Sequence, residues 1–154
     1  KCDAVKLLSE ATSKGIITIT KGTKGGRVRE LLICEPTQIE ALELAVTIQE
    51  NQRSLIPKLM KYKTYQSKCY RDNKGKTSFH PNRHSFVQKR YFDITGVECP
   101  IVLGIPHGSS HYKHISAVLK ISFNEAKTLD KKARLIVSQE LGHNRPNVTN
   151  SYLG

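Results

Sequence analysis

His80 and Arg83 stand three residues apart where Pro81 suits the first turn of a helix. Three residues is nearly one helical turn, so both side chains project from one side. A helix N-terminus adds free N–H groups and the positive end of the helix dipole, which favour a bound phosphate. Arg83 could then hold two phosphate oxygens at once. The plainer reading makes His80 a cap and Arg83 a surface charge, and spacing alone favours it. Lys24 lies between Thr23 and Gly25, a cation on a turn able to approach a ligand closely. As a lone lysine it reads as a solvated turn. His143 follows Gly142, and Tyr152 lies nine residues further on. Taken singly, they read as a C-cap neighbour and a packing residue. No one of the five identifies a chemistry.

The elements that must carry these residues can be read from the pattern. Residues 3–9 suit the tail of a helix, and Ser13-Lys14-Gly15 a turn. Ile16 to Thr20 is β-branched throughout and predicts a strand. Lys21 to Gly26 breaks it, and Arg27 to Cys34 resumes as a second strand, giving a hairpin with a basic, glycine-rich tip. Thr37 with Glu40 predicts a capping box for a helix running to about Gln52, with Ile39, Leu42, Ala45 and Val46 as its apolar face. Phe86, Val87, Tyr91 and Ile94 recur at helical spacing, and Gly96 is the stop. Val97 to Ser116, rich in Pro, Gly and Ser, reads as an irregular loop. Ser122 and Glu125 form another capping box. Leu129, Ala133, Ile136, Val137 and Leu141 then carry an apolar stripe that Gly142 ends. Asn144 to Asn147 turns the chain into a short last helix bearing Tyr152. The fold class is α+β, mainly helical with one small antiparallel hairpin.

Charge narrows the partner. The chain has 25 Lys and Arg against 13 Asp and Glu, a net charge of +12. Such an excess favours a polyanion through phosphate neutralisation and counterion release. Between Pro57 and Lys76 seven Lys and Arg face one acid, Asp72, with Tyr62, Tyr65 and Tyr70 interleaved. A phosphate-tracking surface and a solvated helix with its loop fit that stretch about equally; the basic chain tilts it toward DNA. The four cysteines have no zinc-type or redox-type spacing and read as reduced intracellular thiols. No apolar run is long enough to span a bilayer. His107, His111 and His114 raise a metal site, but Gly108, Ser109 and Ser110 argue against the helix that would converge the first two. No metal or cofactor is expected.

Taken in order, a hairpin Lys24, His80-x-x-Arg83, Leu141-Gly142-His143 and Tyr152 resemble the tyrosine recombinase (phage-integrase) family. Thr23 to Glu30 resembles the family's hairpin, and His80-Pro81-Asn82-Arg83-His84-Ser85-Phe86 its His-Gly-Leu-Arg-His-x-Phe block. Ser138 to His143, with Thr149 and Tyr152, resembles its final box, the most specific of the three. The wording around Phe86 to Tyr91 and Tyr152 to Gly154 is most similar to integrases of bacterial phages and mobile elements. The resemblance implies a DNA breaking-rejoining fold and site-specific recombination of double-stranded DNA in a synaptic tetramer. The setting it implies is the bacterial cytoplasm, at the nucleoid.

It also implies roles. Tyr152 would attack the scissile phosphate, forming a 3′-phosphotyrosyl bond and freeing a 5′-hydroxyl. Arg83 and His143 would bind the non-bridging oxygens. Lys24 would protonate the leaving 5′-oxygen, and His80 would help take the tyrosine proton. Arg27, Lys61, Lys63, Lys68 and Arg145 are the expected DNA-backbone contacts.

Three departures qualify the resemblance. The family's first active-site arginine precedes an acidic residue; Asp3 resembles that residue, which places the arginine just before Lys1. Residues 1–154 are therefore expected to be the C-terminal catalytic domain, cut at its N-terminal edge, without the DNA-clamping domain and poor at cleavage by themselves. Arg83 and His143 are 60 positions apart, more than in compact members, and the 97–116 stretch accounts for much of that. Pro81-Asn82 replaces the usual Gly-Leu and is expected to alter local packing only. A type IB topoisomerase shares the nucleophile logic, but the Leu-Gly-His box favours recombinases. A non-catalytic DNA-binding relative is the alternative from another class. A generic RNA-binding domain would leave the ordered Lys, His, Arg, His, Tyr set unexplained.

Overall fold

The computed structural model describes residues 15–19, 28–33, 35–52, 54–75 and 79–154. The expected helix tail at 3–9, the hairpin tip, Lys24, Arg27, Cys2 and Cys34 lie outside the described residues. The chain divides into two units, Lys1–Lys74 and Gly75–Gly154.

In the first unit, β1 (Ile16–Ile19) and β2 (Arg29–Leu32) pair antiparallel, with Ile16 opposite Leu32 and Ile19 opposite Arg29. Gly15 takes a positive φ of 65° just before β1, and its carbonyl accepts from Ile33 N at 2.7 Å, closing the open end of the ladder. Helix α1 (Pro36–Gln49) starts two residues earlier than its sequence signal. Its capping box is Glu35 with Gln38, not Thr37 with Glu40. Proline decides this: Pro36 has no N–H to lose and a φ already helical, so it takes the first position and makes Glu35 the cap. The helix also ends at Gln49 rather than near Gln52, and Leu44 and Ile48 are exposed along it. Helix α2 (Tyr62–Asp72) follows, with Tyr62 and Tyr70 exposed and Tyr65 half-buried.

The second unit is all helical among its described residues: α3 (Phe79–Thr95), α4 (Pro100–Leu103), α5 (Ser109–Leu119), α6 (Phe123–Glu140), a 3-10 turn (Pro146–Thr149) and α7 (Asn150–Leu153). Its main core joins Val87 and Tyr91 of α3, Cys99, Ala133 and Val137 of α6, Leu141, and Leu153 of α7. A second cluster, Val97, Ile115 and Ala126, seats α5 against α6. Ser122 and Glu125 make the expected capping box, Ser122 N donating to the Glu125 carboxylate at 2.8 Å. Gly96 ends α3 with a φ of 71°, its N–H donating to Phe92 O at 2.7 Å.

The expected loop at 97–116 is instead two helices. Pro100 opens α4, and Gly104 closes it at a left-handed φ of 67°. Gly108 caps α5, whose buried His111 and Ile115 stand four apart on one face. Proline and glycine here punctuate short helices rather than replace them. Across the described residues the chain is mainly helical with one two-stranded antiparallel sheet, consistent with α+β. None of its described helices is long and apolar enough to cross a membrane.

Candidate functional site

Residues four apart share a face of a helix, and α3 carries two adjacent stripes of this kind. Arg83, Val87 and Tyr91 form the inner stripe, with Val87 and Tyr91 buried and Arg83 half-buried. His80, His84 and Gln88 form the second, which turns toward α7. Gln88 Nε2 donates to the backbone carbonyl of Tyr152 at 3.1 Å. The His84 ring centroid lies 4.8 Å from that of Tyr152, and the His80 centroid 6.4 Å from it. The Nε2 atoms of His80 and His84 are 3.2 Å apart, so one ring donates and the other accepts.

Arg83 completes the cluster. Its guanidinium carbon is 5.7 Å from the Tyr152 ring centroid, within cation–π range. Its Nε is buried and has no hydrogen-bond partner among the described residues. A buried donor left unpaired costs about 1–3 kcal/mol, so its presence calls for an explanation.

The end of α6 brings Tyr152 to this place. Gly142 adopts a left-handed φ of 83° and donates to Gln139 O at 2.8 Å. Buried Ser138 then organises the turn twice over. Its carbonyl accepts from His143 N at 2.8 Å, and its hydroxyl donates to Arg145 O at 2.8 Å. His143 is half-buried on this turn; among the described residues no ring contact or hydrogen bond ties its imidazole to the Tyr152 cluster. Arg145 is exposed and precedes the 3-10 turn. Lys61, Lys63 and Lys68 are exposed at the start and along the length of α2, in the first unit.

Beneath the turn lies a buried polar network absent from the sequence expectations. Asp130 accepts from the Tyr91 hydroxyl at 2.7 Å and from Arg134 Nε at 3.1 Å, with His107 Nε2 at 3.1 Å. His111 Nδ1 stands 3.5 Å away, an electrostatic neighbour rather than a formed bond, while its Nε2 reaches Glu98 O at 3.1 Å. Burial raises the Asp130 pKa, but His111, the Tyr91 hydroxyl, Arg134 and His107 outweigh it and hold the carboxyl well below the usual range. Burial, reinforced by the Asp130 charge, pushes the Tyr91 phenol far upward. Among the described residues no group of three or more His, Cys, Asp or Glu could hold a metal ion. His107 reaches Asp130, and His111 reaches the Glu98 carbonyl.

Sequence reasoning assigned no role to His84, Gln88, Asp130 or Arg134. Their signals were present: His84 and Gln88 continue the face that begins at His80. Asp130 and Arg134 are an opposite-charge pair, four apart, set into an apolar stripe where charges need a reason to be.

The chain matches a family model described as Integrase over residues 5–89, more than half of its length. It belongs to the integrase family. DNA integration or recombination is the class of function that membership supports, with DNA as the partner. The matched stretch takes in Lys24, His80 and Arg83 of this integrase-family chain and stops short of His143 and Tyr152. No curated protein and no solved structure matches it.

Proposed function

We propose that the chain is the catalytic domain of a tyrosine recombinase, with Tyr152 as nucleophile. One observation carries the reading: Arg83, whose buried Nε has no hydrogen-bond partner among the described residues, lies against a tyrosine 69 positions away in sequence. A guanidinium that keeps a donor free beside a phenol is what binding a phosphate next to its attacker requires. The Tyr152 oxygen attacks phosphorus, the bond to the 5′-oxygen breaks, and a 3′-phosphotyrosyl link holds the strand. The paired His80 and His84 imidazoles offer the phenol proton an acceptor and a relay. Arg83 stabilises the charge that builds on the non-bridging oxygens, with His143 as the second donor to them. Lys24 supplies the proton to the leaving oxygen. Attack by a second 5′-hydroxyl reverses the sequence, with no net change in phosphodiester bonds.

The decisive test offers the full-length protein nicked duplexes with randomised half-sites and looks for a protein–DNA adduct that survives denaturant. An adduct abolished by Tyr152→Phe is expected. Binding without any adduct favours the non-catalytic relative, and an adduct that persists in Tyr152→Phe removes Tyr152 as nucleophile.

Lys61, Lys63 and Lys68 are proposed to track the DNA backbone, with Arg27 and Arg145. Replacing the three lysines by glutamine should flatten the slope of log K against log salt by about 2–3, at roughly 0.9 per phosphate contact. Filter binding across a salt series measures it; an unchanged slope excludes these lysines from the interface.

A further inference from the structure

We propose that Arg134 is a positioning residue for Tyr152, gripping the terminal turn on both sides of the phenol. The inference rests on the reading of Tyr152 as nucleophile. Helix α7 has four residues, a single turn, which cannot hold its own shape in water. Whatever orients Tyr152 must come from outside the turn. Arg134 Nη1 donates to Asn150 Oδ1 at 3.1 Å, and Arg134 Nη2 donates to Gly154 O at 2.9 Å. These two acceptors bracket Tyr152, one two residues before it and one two residues after.

The third arm of the fork faces inward, where Nε donates to both Asp130 oxygens at 3.1 Å. Arg134 is 2% exposed and Asp130 1%, so the pair cannot swing with solvent. The planar guanidinium therefore transmits one fixed orientation from α6 to α7. Anchoring by burial alone is already provided by Leu153, fully buried in the core. An apolar anchor leaves the turn free to roll, whereas two directed bonds fix its rotation.

The far end is fixed independently. Gly154 has a φ of 91°, and a Cβ there would meet Ile101 N at 3.1 Å and Pro100 Cβ at 3.2 Å. Gln88 holds the Tyr152 carbonyl from the α3 side. Arg134 thus sets the position of the phenol relative to Arg83 and His84, where a displacement of about 1 Å can cost a hundredfold in rate.

The test compares Arg134→Lys, which keeps a charge beside Asp130 but not the fork, with Asn150→Ala, which leaves the Asp130–Arg134 pair intact. Two readouts are taken on the full-length protein. One is hydrogen exchange of the 150–154 amides against those of α6. The other is adduct formation on the randomised nicked duplexes, separated into rate at saturation and half-saturating DNA concentration. Both variants should lose protection at 150–154 while α6 keeps it. Their saturated rate should fall tenfold or more, with the half-saturating concentration unchanged. Wild-type protection at 150–154 in both variants overturns the tether, and so does a wild-type rate in both. If the wild type forms no adduct, the nucleophile reading fails; exchange still decides the tether, since selective loss at 150–154 supports it.

Discussion

Asp130→Ala should lower the unfolding free energy of the Gly75–Gly154 unit by about 3–5 kcal/mol, the usual cost of stranding one partner of a buried ion pair. The carboxylate is the shared acceptor for Tyr91, Arg134 and His107. Its removal leaves a buried guanidinium without its counter-charge and a buried phenol without its acceptor. Exchange of the slowest amides in α3 and α6 measures this loss within the unit itself; a loss below about 1 kcal/mol would show that the network is not buried as described. The double change Asp130→Leu with Arg134→Met removes both charges and should recover most of the stability. It should not recover adduct formation, because the bonds to Asn150 and Gly154 go with the guanidinium. That split separates holding the fold from aiming the tyrosine.

The pH dependence of the same group has a definite sign. The Asp130 pKa is depressed in the folded unit. Its stabilisation is therefore complete above the unfolded value of about 3.9 and is lost only as pH falls below that, through the folded value. Stability from this source is flat through neutrality and drains away in strong acid.

Much of this was legible in the sequence, where local chemistry decides. β-Branched Ile16 to Ile19, the Ser122–Glu125 capping box and the glycine stops at Gly96 and Gly142 act through neighbours a few residues away. The short helix bearing Tyr152 was legible for the same reason. The 97–116 stretch was not, because its helices have four and eleven residues and hold by packing, α4 on α7 and α5 on α6, rather than by propensity. The N-cap of α1 was misplaced because two capping signals overlapped and Pro36 chose between them. At the candidate site, His80, Arg83 and Tyr152 could be named from motif order. The support beneath them could not, since Asp130 joins Tyr91, 39 positions away, to His107, 23 away. No local pattern encodes that meeting.

Arg83 should show the opposite balance between stability and activity. Arg83→Lys is expected to slow adduct formation by about 10²–10³, the usual cost of losing one aligned donor to a charge-developing oxygen. Lysine keeps the positive charge but cannot present the guanidinium fork to a phosphate. Arg83→Met goes further in activity and should reverse the sign in stability. The native Nε is a buried donor with no partner among the described residues, so methionine removes a polar atom that the free fold leaves unsatisfied. It also extends the apolar stripe of Val87 and Tyr91, which are already fully buried. The melting temperature of Arg83→Met is therefore expected to equal or exceed that of the wild type while its adduct rate collapses. A matched fall in both would make Arg83 a structural residue. Gain in one with loss of the other is the signature of a group held in strain for a ligand, here a phosphate beside Tyr152.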